Sequence, residues 1–232
     1  LCENSNQILI MAGFTSSTIG RKYAMALSAM FLLLFLIMHL SVNLLSVLGK
    51  DGPFNAASEF MGYNPLIQFF MQPILGFAVI FHFVMGFVLE LKNRSARPVK
   101  YGMNNGAANS SWMSRNMIIS GLVVLAFLGL HMYDFWWHEM NFKYIEGNTP
   151  DQFRFWPELH EKFADLWRVV IYVVAFVLLG LHLAHGFQSS FQSIGARHPK
   201  YTPVIKAIGN WYSILIPAGF IFIALYHFLT QQ

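Results

Sequence analysis

Four histidines stand deep inside apolar runs: His39 in FLLLFLIMHLSVNLL, and His82, His131 and His182 in three comparable stretches. An imidazole among leucines and phenylalanines costs roughly a few kcal/mol unless its ring nitrogens find a hydrogen-bond partner or a metal. One such histidine is ordinarily a packing residue. Four, separated by 43, 49 and 51 residues, form a pattern. Neutral imidazole is a good ligand for iron, copper and zinc. Cys2 is the only cysteine, so thiolate metal chemistry and an internal disulfide are both excluded. Two facing imidazoles, each about 2 Å from an iron, can hold a haem edge-on between helices. That ligation leaves no open position on the iron, so it suits electron transfer rather than oxygen binding. A metal or proton transporter would add carboxylates within the membrane, but Glu90 and Asp134 fall near the ends of their runs.

The elements that must position these rings are membrane helices. Of 232 residues, 56% are apolar and 11% charged, against about 25% charged in a soluble domain. Five apolar segments are long enough to cross a hydrocarbon core, at about 22–48, 66–91, 115–138, 166–191 and 207–230. They predict an all-α polytopic membrane protein, one integral membrane domain over 1–232, whose first four helices form a haem-binding bundle. Lys and Arg mark the cytoplasmic side. Of 15 such residues, Arg21, Lys22, Lys92, Arg94, Arg97, Lys100, Arg115, Arg197, Lys200 and Lys206 fall on one side. Glu139, Glu146, Asp151, Glu158, Glu161 and Asp165 lie opposite. The N-terminus is therefore predicted inside and the C-terminus outside. Residues 1–20 lack the pattern of a cleavable signal peptide; the sequence opens on Leu1, and Met11 is a candidate start.

Alternating direction sorts the histidines by depth. His39 and His131 lie about nine and seven residues before the outer ends of their spans. His82 and His182 each lie about nine residues before the inner ends. Nine residues rise roughly 14 Å, so the chain predicts two levels, an outer pair and an inner pair, with spans one and three on one diagonal and two and four on the other. Small residues fit a porphyrin between them. Gly129 and Gly180 each precede a ligand by two residues, and Gly86 follows His82 by four. Ser28 stands three turns before His39, at the inner level, and Ser120 is related to His131 in the same way. Glycine and serine also serve plain helix packing in membranes. His185, one turn beyond His182, is the competing inner ligand at a poorer depth. His138, His160 and His198 read as solvated, and His227 as a packing residue. The link 139–165, with FRFWPELHEKF, reads first as a solvated loop with aromatic anchors and second as cover over a ligand site. No internal repeat is visible.

Five spans, an inward N-terminus and one histidine in each of the first four spans resemble a known family: the single-chain, two-haem cytochrome b subunit of succinate:menaquinone reductases and quinol:fumarate reductases. The resemblance covers residues 20–230 and is positional rather than a tight signature. It implies two haem b groups, the one nearer the cytoplasm on His82 and His182 and the distal one on His39 and His131. It implies that the basic inner surface docks an iron–sulfur subunit under a flavoprotein subunit, with no nucleic-acid partner. Menaquinone would be the substrate near the distal haem. The chain would be a quinone-reactive subunit of the bacterial inner membrane, serving the respiratory chain and the tricarboxylic acid cycle, with no succinate chemistry of its own. Haem propionates would find Arg21, Lys22 and Arg115 at the inner level and Arg168 at the outer. Glu59, Asn64 and Asp134 are the candidate quinone residues, a carboxylate being able to exchange protons with quinol. Some quinol:fumarate reductases of this family carry a glutamate two residues before the fourth ligand; here that position is Gly180, which leans toward a succinate:menaquinone reductase and leaves the direction open.

Two other classes share part of the pattern. A free-standing transmembrane di-haem cytochrome needs no basic docking face, and the anchor of another respiratory oxidoreductase distributes its histidines differently. A transporter or scaffold with structural histidines would show no b-type absorption bands.

Overall fold

The computed structural model describes residues 17–50, 52–95 and 116–231. Among these, the regular elements are helices and no strand forms. Helix α1 (Thr18–Leu44) starts at Ser17, whose side chain accepts from Gly20 N, and runs on as a 3-10 turn, Leu45–Leu48. Gly49, at φ 100°, lets the chain turn out of it. A short helix, α2 (Pro53–Tyr63), begins with proline in its first turn and ends at Asn64. A π-helical turn, Ile67–Met71, leads into α3 (Gln72–Ser95). Helix α4 (Met117–His131) continues through π-helical turns and one α-turn to Ile145. Helices α5 (Phe155–Lys162), α6 (Leu166–Ser193) and α7 (Thr202–Leu229) complete the order. Five of the helical stretches, including all four that carry the histidine pattern, are long and apolar enough to cross a membrane.

Two span boundaries differ from the sequence reading by five residues or more. The third span runs to Ile145 rather than 138, because its late charges are neutralised by pairing: Lys143 lies 2.5 Å from Glu139, four residues before it, and Arg154 also binds Glu139. The fifth begins at Thr202, five residues early, with Pro203 in its first turn where a missing N–H costs nothing.

Helix α6 packs on α7, α4 and α1, and α1 packs on α3 and α7. Spans one to four thus close a ring in which one faces three and two faces four across the diagonals, with the fifth set against the one–four edge. Close approach of α6 and α7 needs glycine. A Cβ on Gly180 would stand 3.0 Å from the Ser213 carbonyl and 3.3 Å from Pro217 Cγ. Pro217 has no N–H to offer the Ser213 carbonyl, so Gly180 meets α7 at its weakest turn. Gly180 therefore serves helix packing and not porphyrin space, whereas Gly129 has open room around it. The core comprises Leu33, Leu40, Phe176, Leu183, Ile216 and Phe220 with Phe54, Leu159 and Phe163 from the outer elements. By contrast, only 6% of the most apolar stretch of the second and of the third span is buried, against 39% of the fifth.

Candidate functional site

The fold brings the four histidines together two by two. The rings of His39 and His131 lie 5.8 Å apart at 86° to one another. Those of His82 and His182 lie 6.4 Å apart at 71°. A metal bound at about 2.0–2.1 Å to the facing nitrogen of each ring sets two ring centres about 6 Å apart. Both pairs match that spacing, and each joins helices from opposite corners of the ring.

At the inner pair the hydrogen bonds decide which nitrogen is free. Ser28 Oγ donates to the Met25 carbonyl at 2.8 Å, which uses its one hydrogen. Its contact with His82 Nδ1 at 3.3 Å must then be a bond donated by the ring. Ser120 repeats the arrangement, with Oγ donating to Met117 O at 2.9 Å and His182 Nδ1 at 3.3 Å. Each inner imidazole therefore carries its proton on Nδ1 and has an unprotonated Nε2, the state of a metal-binding histidine whose other nitrogen is held by an acceptor. Ser28 and Ser120 thus hold the ring tautomers, a role beyond leaving space. A Cβ at Gly121 would come 3.5 Å from His182 Cε1, so a small residue keeps that ring's surroundings open. His185 turns away: its Nε2 meets Ser189 Oγ of its own helix at 2.9 Å.

The outer pair borders a cavity of about 150 Å³ lined by His39, His131, Asn43, Phe35, Phe127, Tyr172, Phe176 and Phe220, with Leu159 and Phe163 entering from the outer link. Two residues of that link thus form part of the cavity wall. His131 Nδ1 is buried without a hydrogen-bond partner. Asn43 reaches the His39 carbonyl at 2.8 Å and Nδ1 at 3.4 Å. Because that one Nδ2 already donates to the His39 carbonyl, Asn43 presents a donor to His39 Nδ1, and the hydrogen bonds assign no tautomer here as they do at the inner rings.

Beside the cavity lies a buried polar group that sequence reasoning only half found. Asp134, 1% exposed, accepts from the Tyr172 hydroxyl at 2.9 Å and pairs with Arg168 at 3.3 Å. Asp134 and Arg168 were expected in separate roles, on quinone and propionate. The structure joins them, while Arg168 Nε stays buried with no partner of its own. Asn64 is engaged elsewhere, its side-chain oxygen accepting from Leu66 N at 3.0 Å and Ile67 N at 3.3 Å to start the second span. Glu59 is half-buried on α2. Arg21 has a buried, unpartnered Nε at the inner end of α1. Arg115 lies outside the described residues, as do Arg97 and Lys100.

One further expectation changes. His160 is half-buried rather than freely solvated: its Nδ1 meets His227 Nδ1 at 3.0 Å. His227 is fully buried and hydrogen-bonded, its Nε2 lying 2.9 Å from Ser46 Oγ. His138, half-exposed, stands 3.7 Å from Glu158. Arg154 was not singled out at all, yet it is 8% exposed, binds Glu139 and Glu158, and stacks over Phe142 and Phe155. With Lys143, which donates to the Gly62 carbonyl at 2.5 Å, it ties α2, the third span and α5 into one outer cap. FRFWPEL contains Arg154 and Glu158 four apart, a signal legible in hindsight.

Among the described residues no three His, Cys, Asp or Glu side chains converge on a point. A porphyrin, which brings four nitrogens of its own, asks two imidazoles of the chain. The donor set, ring spacing, free Nε2 atoms and unpartnered arginine nitrogens fit haem. No family model, curated protein or solved structure matches the chain. What fold and site define is a class: an all-helical chain with five helices fit to span a membrane, holding two facing imidazole pairs.

Proposed function

We propose that this chain is the di-haem cytochrome b anchor subunit of a succinate:quinone oxidoreductase in a bacterial inner membrane, its N-terminus in the cytoplasm. The observation that carries the reading is the double diagonal pairing of His39 with His131 and His82 with His182, the inner rings being held with Nε2 free. His82 and His182 would hold the inner haem b, and His39 and His131 the outer. When bound, the two haems would pass single electrons along the bilayer normal. The residues of the chain supply the rest. Ser28 and Ser120 fix ring orientation. Arg21, Arg115 and Arg168 offer guanidinium donors to propionates. The aromatic cavity bordered by the outer pair would receive the outer porphyrin, and menaquinone would lie beside it, with Asp134, Tyr172 and Glu59 as candidate polar groups. The cations of the inner face offer a dock for an iron–sulfur subunit beneath a flavoprotein subunit.

The test is haem quantification per chain, with His39, His82, His131 and His182 each changed to alanine. The parent should hold two b-type haems, and each variant should lose at least one while His185→Ala keeps both. A parent without b-type bands, or haem lost in His185→Ala and kept in His182→Ala, would overturn the assignment. Co-purification of flavin and iron–sulfur subunits separates this reading from a free-standing cytochrome.

A further inference from the structure

Two histidines outside the four touch each other at the outer end of the bundle. His160 sits half-buried on α5 and His227 fully buried near the end of α7. Two Nδ1 atoms 3.0 Å apart need one proton between them. The neighbouring bond says which ring gives it. Ser46 Oγ spends its hydrogen on the Asn43 carbonyl, 2.6 Å away, so it can only accept from His227 Nε2 at 2.9 Å. A neutral His227 protonated on Nε2 has a lone pair on Nδ1, and His160 donates to it. Asn43 Nδ2 in turn donates to the His39 backbone carbonyl, and so the contacts run from His160 through His227, Ser46 and Asn43 to the main chain of a residue of the outer imidazole pair.

We propose that His160 and His227 form a proton-loading dyad for the outer imidazole pair: one proton is shared between the two Nδ1 atoms, and a second arrives from the outer aqueous side on the remaining nitrogen of His160. The inference rests on the two-haem reading. Its balance is simple. One electron reaching the outer centre adds one negative charge, one proton from water adds one positive charge, and the only bond formed is N–H. The surroundings leave the dyad to act as its own base. Trp156 stacks on His160 at 4.4 Å and meets His227 edge-on at 5.7 Å. Phe163 and Tyr226 face His227. Gln231 holds the His160 backbone carbonyl at 2.6 Å. Among the described residues no carboxylate or cation pairs with either ring. Burial pushes His160 below its ordinary value, while the Thr230 carbonyl beside its ring favours the protonated form.

Full-length chain in lipid nanodiscs, labelled with nitrogen-15 histidine, gives one readout. The outer haem's midpoint potential against pH gives the other. In the parent, the two imidazoles should titrate as a coupled pair. The potential should rise as pH falls through that titration, by up to about 59 mV for each tenfold rise in proton concentration. His160→Gln and His227→Gln should each flatten the slope while two haems stay bound. His160→Gln, nearer the surface, keeps the test intact if the buried variant fails to fold. Independent titration of the two rings, or an unchanged slope in His160→Gln, overturns the dyad. A parent chain that binds no haem overturns the two-haem reading and the electron coupling with it; coupled titration would then remain a property of the histidines alone.

Discussion

Ser28→Ala is the sharpest probe of the inner centre, because it removes one hydroxyl and leaves the ligand untouched. Ser28 Oγ accepts from His82 Nδ1 at 3.3 Å. Loss of such a partner to a metal-ligating histidine typically weakens metal binding about 10–100-fold, or ~1.4–2.7 kcal/mol at about 1.4 kcal/mol per decade. At 3.3 Å this bond is slightly longer than usual, so the lower end applies and about tenfold is expected. Ser120→Ala should cost the same through His182, the double variant should bind more weakly than either, and Ser28→Thr should keep parent affinity. The assay is haem titration into the haem-free chain in a His39→Ala background, where only the inner centre fills, followed by b-band absorbance. If both alanine variants bind within about twofold of the parent, the serines do not set the tautomer and the argument for a free Nε2 fails.

Asp134→Ala would strand the Arg168 guanidinium, whose side chain is 14% exposed, without its counter-charge; a loss of about 3–5 kcal/mol is expected as a lowered thermal midpoint in detergent. Tyr172→Phe removes one hydrogen bond and should cost about 1 kcal/mol in the same assay. Gly209→Ala would place a methyl 2.7 Å from Phe187 Cδ1 and should destabilise by about 1–3 kcal/mol, whereas Gly76→Ala, with nothing within 4 Å, should be neutral. Arg154→Met leaves Glu139 and Glu158 facing each other in the outer cap, and limited proteolysis should then cut 146–154 several-fold faster than in the parent.

The spans were legible because lipid imposes a length and forbids unpaired backbone. The pairing of histidines by depth was legible because antiparallel helices invert the count at each crossing. Helix ends were less so, since Glu139 and Arg154 cancel one another only once the chain has folded back. The serine contacts were hidden for a different reason. Ser28 and His82 are 54 residues apart, and Ser120 and His182 are 62 apart, so periodicity could place each serine at the right depth without naming the ring it would face. His160 and His227, 67 apart, were invisible as a pair. Gly180 shows the converse: its spacing suited a porphyrin, yet the nearest atoms belong to a proline-broken turn next door.

The second and third spans, each with 6% of its most apolar stretch buried, have a consequence for biogenesis. The first, fourth and fifth spans can stand as a tripod on protein contacts alone. The other two are staves that protein grips only along an edge, and each carries one imidazole of a pair. With the proposed prosthetic groups wedged between the corners, closure of the barrel and loading of iron become one event, and a chain starved of porphyrin would linger open, displaying its slack staves to the proteases that patrol the bilayer.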